Sequence, residues 1–372
     1  MNNKTRFINT LLAALTAFTV MPTFAAIKDV CEQTPRWSKT QTYQGESHVQ
    51  YAGIAYKAKW WNKNHQPDKA EHHGPWEFEK ECLVRTTIQT PLPVAEGKGF
   101  DFFEKIEQDD PYIEVYRIYP GVYALYERFI DIEFEAVTAY LIVGTKQAAL
   151  FDSGLGLGDL KGVIRQLTDK PILLVNSHHH YDHVAANADF PFIMAADDEY
   201  TRKGEQGLNN ADLIEFLKIA YGPFYKDVGP DYYMRPYEVD IYLRDKNKIN
   251  LGGTRLEVIT APGHSPDAIV LLDEERKLMY TGDVFYQSNL FAHLPESNFD
   301  AYYATAQKLK ALQSKVERVL PNHSIPMADG QALTEMGDAF EAIKNGMPPA
   351  GIQDGLELYF FEKFSVILRE DR

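Results

Sequence analysis

The sequence predicts two units of different character: a mixed α/β catalytic domain that presents metal-binding side chains at strand ends, preceded by a small all-β module. Three observations lead there. Histidines and aspartates recur directly after short apolar runs and beside Gly or Pro, around His178, His264, Asp283 and His323, and ligands at the ends of sheet strands are the habit of α/β enzymes. All four tryptophans, Trp37, Trp60, Trp61 and Trp76, fall within 40 residues near the N-terminus. Finally, 372 residues suggest two domains or three, and a composition of 45% apolar and 24% charged residues supplies a packed core and excludes global disorder.

Residues 1–25 read as a secretory leader. Lys4 and Arg6 form a basic start, residues 11–20 are apolar but too short to span a bilayer, and Thr23 and Ala25 place small residues before a cleavage point after Ala25. A periplasmic or extracellular location follows, with no stable membrane anchor. The net charge is −15, and removal of Lys4 and Arg6 with the leader takes it to −17. Nucleic acid and anionic membrane surfaces are disfavoured as partners, because both need clustered Lys and Arg. Cys31 and Cys82 are the two cysteines. An even count in an exported chain favours a disulfide, and a module of about 50 residues benefits from such a staple because it cannot bury a large core.

Residues 31–82 form that module. Val49, Tyr51, Tyr56, Ala58 and Trp60 suggest two short strands about a turn at Ala52-Gly53. Adjacent strand residues point to opposite faces, so either one of Trp60 and Trp61 packs inside while the other meets solvent, or both sit on a bulged edge. Exposed tryptophan suits the C–H faces of sugar rings. On the early Trp37, the Tyr-rich hairpin, the Ala58-Lys59-Trp60-Trp61 run, Gly74-Pro75-Trp76 and the terminal cysteines, residues 37–82 resemble the small chitin- and cellulose-binding modules of secreted bacterial glycosidases. The resemblance implies Trp37, Trp60 and Trp61 as sugar-stacking residues, Trp76 as core, and chitin or a related polysaccharide as partner. The loop after the tryptophan pair, Asn62 to Pro67, departs from the family's glycine-rich loop.

Residues 83–111 show no sustained period and read as a linker. From Ile113 the pattern becomes strand-like. The run Pro171 to Val175 is a buried strand, and Asn176-Ser177-His178-His179-His180-Tyr181-Asp182-His183 follows it. His178 and His180 alternate with His179 and converge on one ion, while Asp182 and His183 turn toward a second. Pro262-Gly263-His264-Ser265-Pro266-Asp267 follows another strand, Gly282-Asp283 ends a third, and Asn322-His323 ends a fourth.

These motifs resemble the metallo-β-lactamase superfamily in order and approximate spacing, over residues 115–345. The resemblance implies a four-layer αββα sandwich at 112–345, with residues 346–372 as terminal strands packed on it. It assigns His178, His180 and His264 to one zinc, Asp182, His183 and His323 to the other, and Asp283 to both. Asp152, ending a further strand in Phe151-Asp152-Ser153-Gly154, would hold a ligand histidine from behind. Iron or manganese suits the same imidazole and carboxylate donors.

Two close divalent ions lower the pKa of a shared water, with Asp182 orienting the nucleophile for attack on a carbonyl or phosphoryl centre of a small-molecule substrate. The bridging aspartate resembles branches that act on thioesters, lactones and phosphoesters, and leans away from true β-lactamases. The sequence thus predicts a secreted metallo-hydrolase targeted to polysaccharide. The alternatives are a carbohydrate-binding protein with an idle hydrolase domain and a β-lactamase-type amide hydrolase.

Overall fold

The computed structural model describes residues 24–29, 31, 33–51, 54–67, 73–81, 83–88, 99–127, 137–209, 211, 213, 233–353 and 355–370. Two sheets carry the catalytic domain. The first has eight strands in the order Ile241–Leu243, Ile193–Ala196, Ile172–Val175, Ala148–Phe151, Val137–Val143, Val122–Glu127, Ile113–Tyr119 and Glu104–Ile106. From Ala148–Phe151 through Ile172–Val175 and Ile193–Ala196 to Ile241–Leu243 its pairs are parallel. The other pairs are antiparallel. The second has six strands in the order Lys248–Asn250, Arg255–Thr260, Ile269–Asp273, Leu278–Gly282, Arg318–Pro321 and Ala328–Asp329.

The apolar pattern explains the stacking. Val137–Val143 is buried at every residue, as expected of a strand covered on both faces. Alternate residues of each strand serve different cores. Tyr140, Ile142 and Phe151 meet Val258, Leu271, Tyr280 and Leu320 between the sheets. Ala139, Leu141 and Leu150 point the other way, onto Leu160, Val163 and Ile164 of helix Leu160–Leu167. Behind the second sheet, Val270, Leu272 and Met279 pack on Tyr302, Leu309, Met336 and Phe340 of helices Phe299–Ala311 and Ala332–Lys344. The result is a helix–sheet–sheet–helix sandwich.

The expected linker is not wholly irregular. Leu83–Ile88 pairs antiparallel with Phe24–Asp29, and Glu104–Ile106 is already the edge strand of the eight-stranded sheet. A three-residue strand with two charged members is too short to show a period. At the other end, Ser365–Arg369 runs parallel to Asn289–Ala292, and Leu356–Phe360 and Gly351–Gln353 extend that sheet.

In the N-terminal part, His48–Tyr51, Ile54–Ala58 and Trp76–Glu81 form a three-stranded antiparallel sheet. Tyr43, Val49, Tyr56, Ala58 and Trp76 make its small core, with Trp37 and Tyr51 packed on it. Neither Trp60 nor Trp61 is inside a strand: the second strand stops at Ala58, and both indoles are exposed, at 50% and 58%. The one-in, one-out arrangement therefore does not form. Trp37 is half-buried, edge-on to Tyr51 at 5.5 Å. Cys31 is buried, while Cys82, the other half of the expected disulfide, and residues 1–23 of the expected leader lie outside the described residues. Among the described residues no helix is long and apolar enough to cross a membrane.

Candidate metal centre

Four strand ends deliver the site. Ile172–Val175 leads into Asn176 and the histidine run, Arg255–Thr260 into His264, Leu278–Gly282 into Asp283, and Arg318–Pro321 into His323. Two glycines are required for the approach. Gly263 and Gly282 have φ of 150° and 54°, and a Cβ would meet Tyr302 at 2.4 Å in the first case and Ser177 at 2.6 Å in the second. No residue with a side chain fits either position without a shift in its neighbour.

The ligand atoms converge in two groups: His178, His180, His264 and Asp283 in one, and Asp182, His183 and His323 in the other. In the first, His180 Nδ1 lies 2.9 Å from His178 Nε2 and 3.0 Å from His264 Nε2. In the second, His183 Nε2 is 3.3 Å from His323 Nε2 and 3.5 Å from Asp182 Oδ2. Asp283 reaches both, with Oδ1 3.1 Å from His183 Nε2 and 3.3 Å from His323 Nε2, and Oδ2 3.6 Å from His264 Nε2.

The outward nitrogens of these rings are spoken for. His264 Nδ1 donates to the Phe291 carbonyl at 2.9 Å. His180 Nε2 donates to Glu296 Oε1 at 2.7 Å. His178 Nδ1 meets Ser177 Oγ at 2.9 Å, and that hydroxyl donates to Asp152 Oδ2 at 2.6 Å. His183 Nδ1 donates to the same Asp152 oxygen at 2.8 Å. The oxygen acceptors behind the rings favour a proton on each outer nitrogen, and with that tautomer the inner nitrogens of the first group aim lone pairs at one another at hydrogen-bond distance. That arrangement is repulsive without a cation between them, and imidazole nitrogens fixed from behind by oxygen acceptors are what a divalent metal needs. The residues fit two metal ions.

Charge follows from burial and proximity. Burial and the neighbouring histidines hold His178 well below its ordinary pKa, and burial with His180 close by brings His264 to about 4. Burial works against protonation of His183 and His323 too, but Asp283 and Asp182 outweigh it, holding His183 well above its usual value and raising His323 to about 10. The same contacts keep Asp283 well below the carboxylate range despite its burial. In the metal-free chain the second group therefore stores protons that a metal displaces.

His179 points away from both groups. Its Nδ1 meets Tyr237 Oη at 2.8 Å, and burial lowers it to about 4. Tyr181, Phe285 and Tyr286 belong to hydrophobic clusters, and the Tyr286 ring also lies 5.5 Å from that of His323. Trp37, Trp60 and Trp61 lie in the N-terminal part and are not among the converging ligands. Three further residues complete it: Ser177, Asn322, which donates to Asp152 Oδ2 at 2.7 Å, and Glu296. Ser177 and Asn322 stand one residue before His178 and His323, and that adjacency was their only signal in the sequence. Glu296 lies in a loop and carried none.

Fold and site together define a metal-dependent hydrolase. The sequence pattern of the family described as the metallo-beta-lactamase superfamily matches residues 132–323, which include all seven converging ligands. The chain belongs to that superfamily. It is similar to the acyl-coenzyme A thioesterase MBLAC2 of Bos taurus, 30% identical over 227 residues covering 55% of this chain and 78% of the relative. The Homo sapiens MBLAC2 thioesterase is 30% identical over 224 residues, with the same coverage of 55% and 78%. Among solved structures, the metallo-beta-lactamase family protein TTHA1429 of Thermus thermophilus aligns with a TM-score of 0.46 at 21% identity, over 61% of this chain and 81% of that one.

Proposed function

We propose that this chain is a binuclear metal-dependent hydrolase of acyl thioesters. The observation that carries the reading is the Asp283 carboxylate, whose two oxygens face different ligand groups. His178, His180 and His264 would hold one ion, Asp182, His183 and His323 the other, and Asp283 both. Zinc suits these nitrogen and oxygen donors, as do iron and manganese. When bound, such a pair would supply Lewis acidity and lower the pKa of a water at the site. Asp182, partly open at 14% side-chain exposure and 3.3 Å from His323, would take the proton of the attacking water and return it to the departing thiol. Water adds to the acyl carbon, the carbon–sulfur bond breaks, and a carboxylic acid and a thiol leave. A cavity of about 470 Å³ has Ser297 in its wall, and Ser297 Oγ donates to the His264 carbonyl at 2.6 Å. Its lining sets Phe299 and Ile343 beside Arg369 and the Lys344–Asp300 ion pair, closed at 2.6 Å, and none of the seven ligands stands in its wall. The names of the mammalian relatives support the same substrate class.

The test is a zinc-reconstituted preparation offered acyl-coenzyme A thioesters, a lactone, a phosphodiester and a β-lactam. Thioester turnover, read as free thiol, is expected to dominate, to vanish with chelator and to return with zinc. Turnover of only the other substrates would overturn the assignment.

The exposure of both Trp60 and Trp61 supports a second feature, attachment to chitin or a related polysaccharide. Lys59 Nζ, 5.0 Å from the Trp60 ring centroid, adds a cation at its face. We propose that the chain is exported, that a Cys31–Cys82 disulfide staples the module, and that the tryptophan pair anchors it.

A further inference from the structure

Within the first ligand group His180 is the exception. It faces the group through Nδ1, whereas His178 and His264 face it through Nε2. Which nitrogen of an imidazole is left bare is decided by what the other one meets. For His178 and His264 the outer partners are Ser177 Oγ, just beyond the strand Ile172–Val175, and the carbonyl of Phe291, within the strand Asn289–Ala292. For His180 the partner is a side chain from a distant loop, the Glu296 carboxylate, at 2.7 Å.

Glu296 is itself held. Oε1 also accepts the Tyr200 hydroxyl at 3.3 Å. Tyr200 stands in the first turn of helix Glu199–Gly204, where Asp198 Oδ1 accepts its backbone N–H at 2.7 Å. The next residue, Thr201, donates to Asp267 Oδ2 at 3.0 Å, and Ser265 donates to the other Asp267 oxygen at 2.7 Å, next to His264. On the far side of Glu296, Ser297 Oγ closes onto the His264 carbonyl. Tyr200 thus ties the carboxylate that meets His180 to a helix distant in sequence, and Thr201, Asp267 and Ser265 tie that helix to the segment of His264. The pair is shielded, with side-chain exposures of 10% and 18%, so a charge-assisted hydrogen bond there is strong and directional.

We propose that Glu296 is the positioning residue for His180: it holds the ring as the Nε2–H tautomer in the orientation that presents Nδ1 to the metal, and Tyr200 steadies it. The proposal rests on His178, His180, His264 and Asp283 being a metal group. Without the carboxylate, the proton is free to move to Nδ1, or the ring to turn over, and either change removes one ligand from the first group while leaving the second intact.

The test compares wild type with E296A, E296Q and Y200F. In the metal-free proteins, ¹⁵N shifts of labelled histidine report the tautomer. Wild-type His180 is expected as Nε2–H, and E296A as a mixture. Zinc affinity is then read by competition with a chromophoric chelator. E296A is expected to lose about 10–100-fold at one of two sites, E296Q less because an acceptor oxygen remains, and Y200F least, with the other site at its wild-type value. Wild-type tautomer and affinities in E296A would overturn the proposal while leaving the metal reading intact. If circular dichroism shows E296A misfolded, E296Q decides, and wild-type affinity at both of its sites overturns the proposal. A wild-type protein that takes up no zinc would bring down the metal reading and this proposal together.

Discussion

Asp152 Oδ2 and His183 Nδ1 lie 2.8 Å apart, and neither side chain exposes any surface. The same carboxylate accepts the Ser177 backbone N–H and hydroxyl, each at 2.6 Å, and the Asn322 amide at 2.7 Å. Ser177 in turn holds His178, and Asn322 precedes His323, so one buried aspartate orders both ligand groups. Its backbone is left-handed, φ 67°, a conformation that Asn and Asp adopt more readily than most residues. Asp152→Asn therefore keeps the backbone and the volume while turning an NH₂ toward groups that donate. Zinc affinity is expected to fall about 10–100-fold at both sites, with substrate KM little changed. Affinity at the wild-type level in a competition titration would remove Asp152 from this role.

Metal binding is expected to strengthen with pH. Burial alone would keep His183 and His323 neutral, but Asp283 and Asp182 hold both protonated, His323 up to about 10. A metal must displace those protons, and each one displaced makes the apparent affinity about tenfold higher per pH unit while the free site stays protonated. The linkage also acts on the metal-free fold. A histidine raised from its unfolded value contributes stability that is complete below about 6.5 and is lost as pH rises toward 10. The metal-free melting temperature is thus expected to fall across that window, and zinc titrations at pH 6, 7 and 8 to show rising affinity. An affinity constant over those three values would refute the protonated second group.

The convergence was legible because each ligand-bearing segment follows an apolar strand, although Asp182 and His183 stand on a short helix, Tyr181–Val184, beyond it. Alternation within His178-His179-His180 already separated two inward rings from one outward ring, and the structure places His179 against Tyr237. Glu296 was not legible, because only the folded chain carries its loop to His180. The one-in, one-out arrangement of the tryptophan pair does not form, for a local reason. Two-residue alternation holds only inside a strand, and this one ends at Ala58, where the Lys59 N–H turns to the Pro75 carbonyl at 2.8 Å. Glu104–Ile106 was missed because three residues are too few to display a period.

Glu127 is a structural counterpart to Asp152. Buried at the end of its strand, it accepts the backbone N–H groups of Leu155 at 2.6 Å, Leu157 at 2.7 Å and Gly158 at 3.2 Å. This anchors the loop that follows Asp152. Burial raises its carboxyl to about 7, against the pull of those amides. Glu127→Ala would leave three donors unpaired around a cavity, and a loss of about 3 kcal/mol is expected. Denaturant unfolding measures it, and a loss below about 1 kcal/mol would show that water replaces the carboxylate without cost.

The final prediction separates anchoring from catalysis. Trp60 and Trp61 are exposed and outside the module's core, which is built from Tyr43, Val49, Tyr56, Ala58 and Trp76. Replacing both with Ala removes no buried contact of that core, so stability is expected to change by no more than about 0.5 kcal/mol. If the two indoles stack on sugar rings, each contributes about 0.5–1.5 kcal/mol, by analogy with aromatic pairs, and losing both weakens binding by about 5- to 150-fold. Retention on insoluble chitin should then disappear while turnover of a soluble thioester stays at the wild-type rate, because every metal ligand comes from the two-sheet domain. Retention at the wild-type level would show that these indoles are not the anchor. Loss of soluble turnover with zinc content and fold intact would instead make the module a wall of the active site.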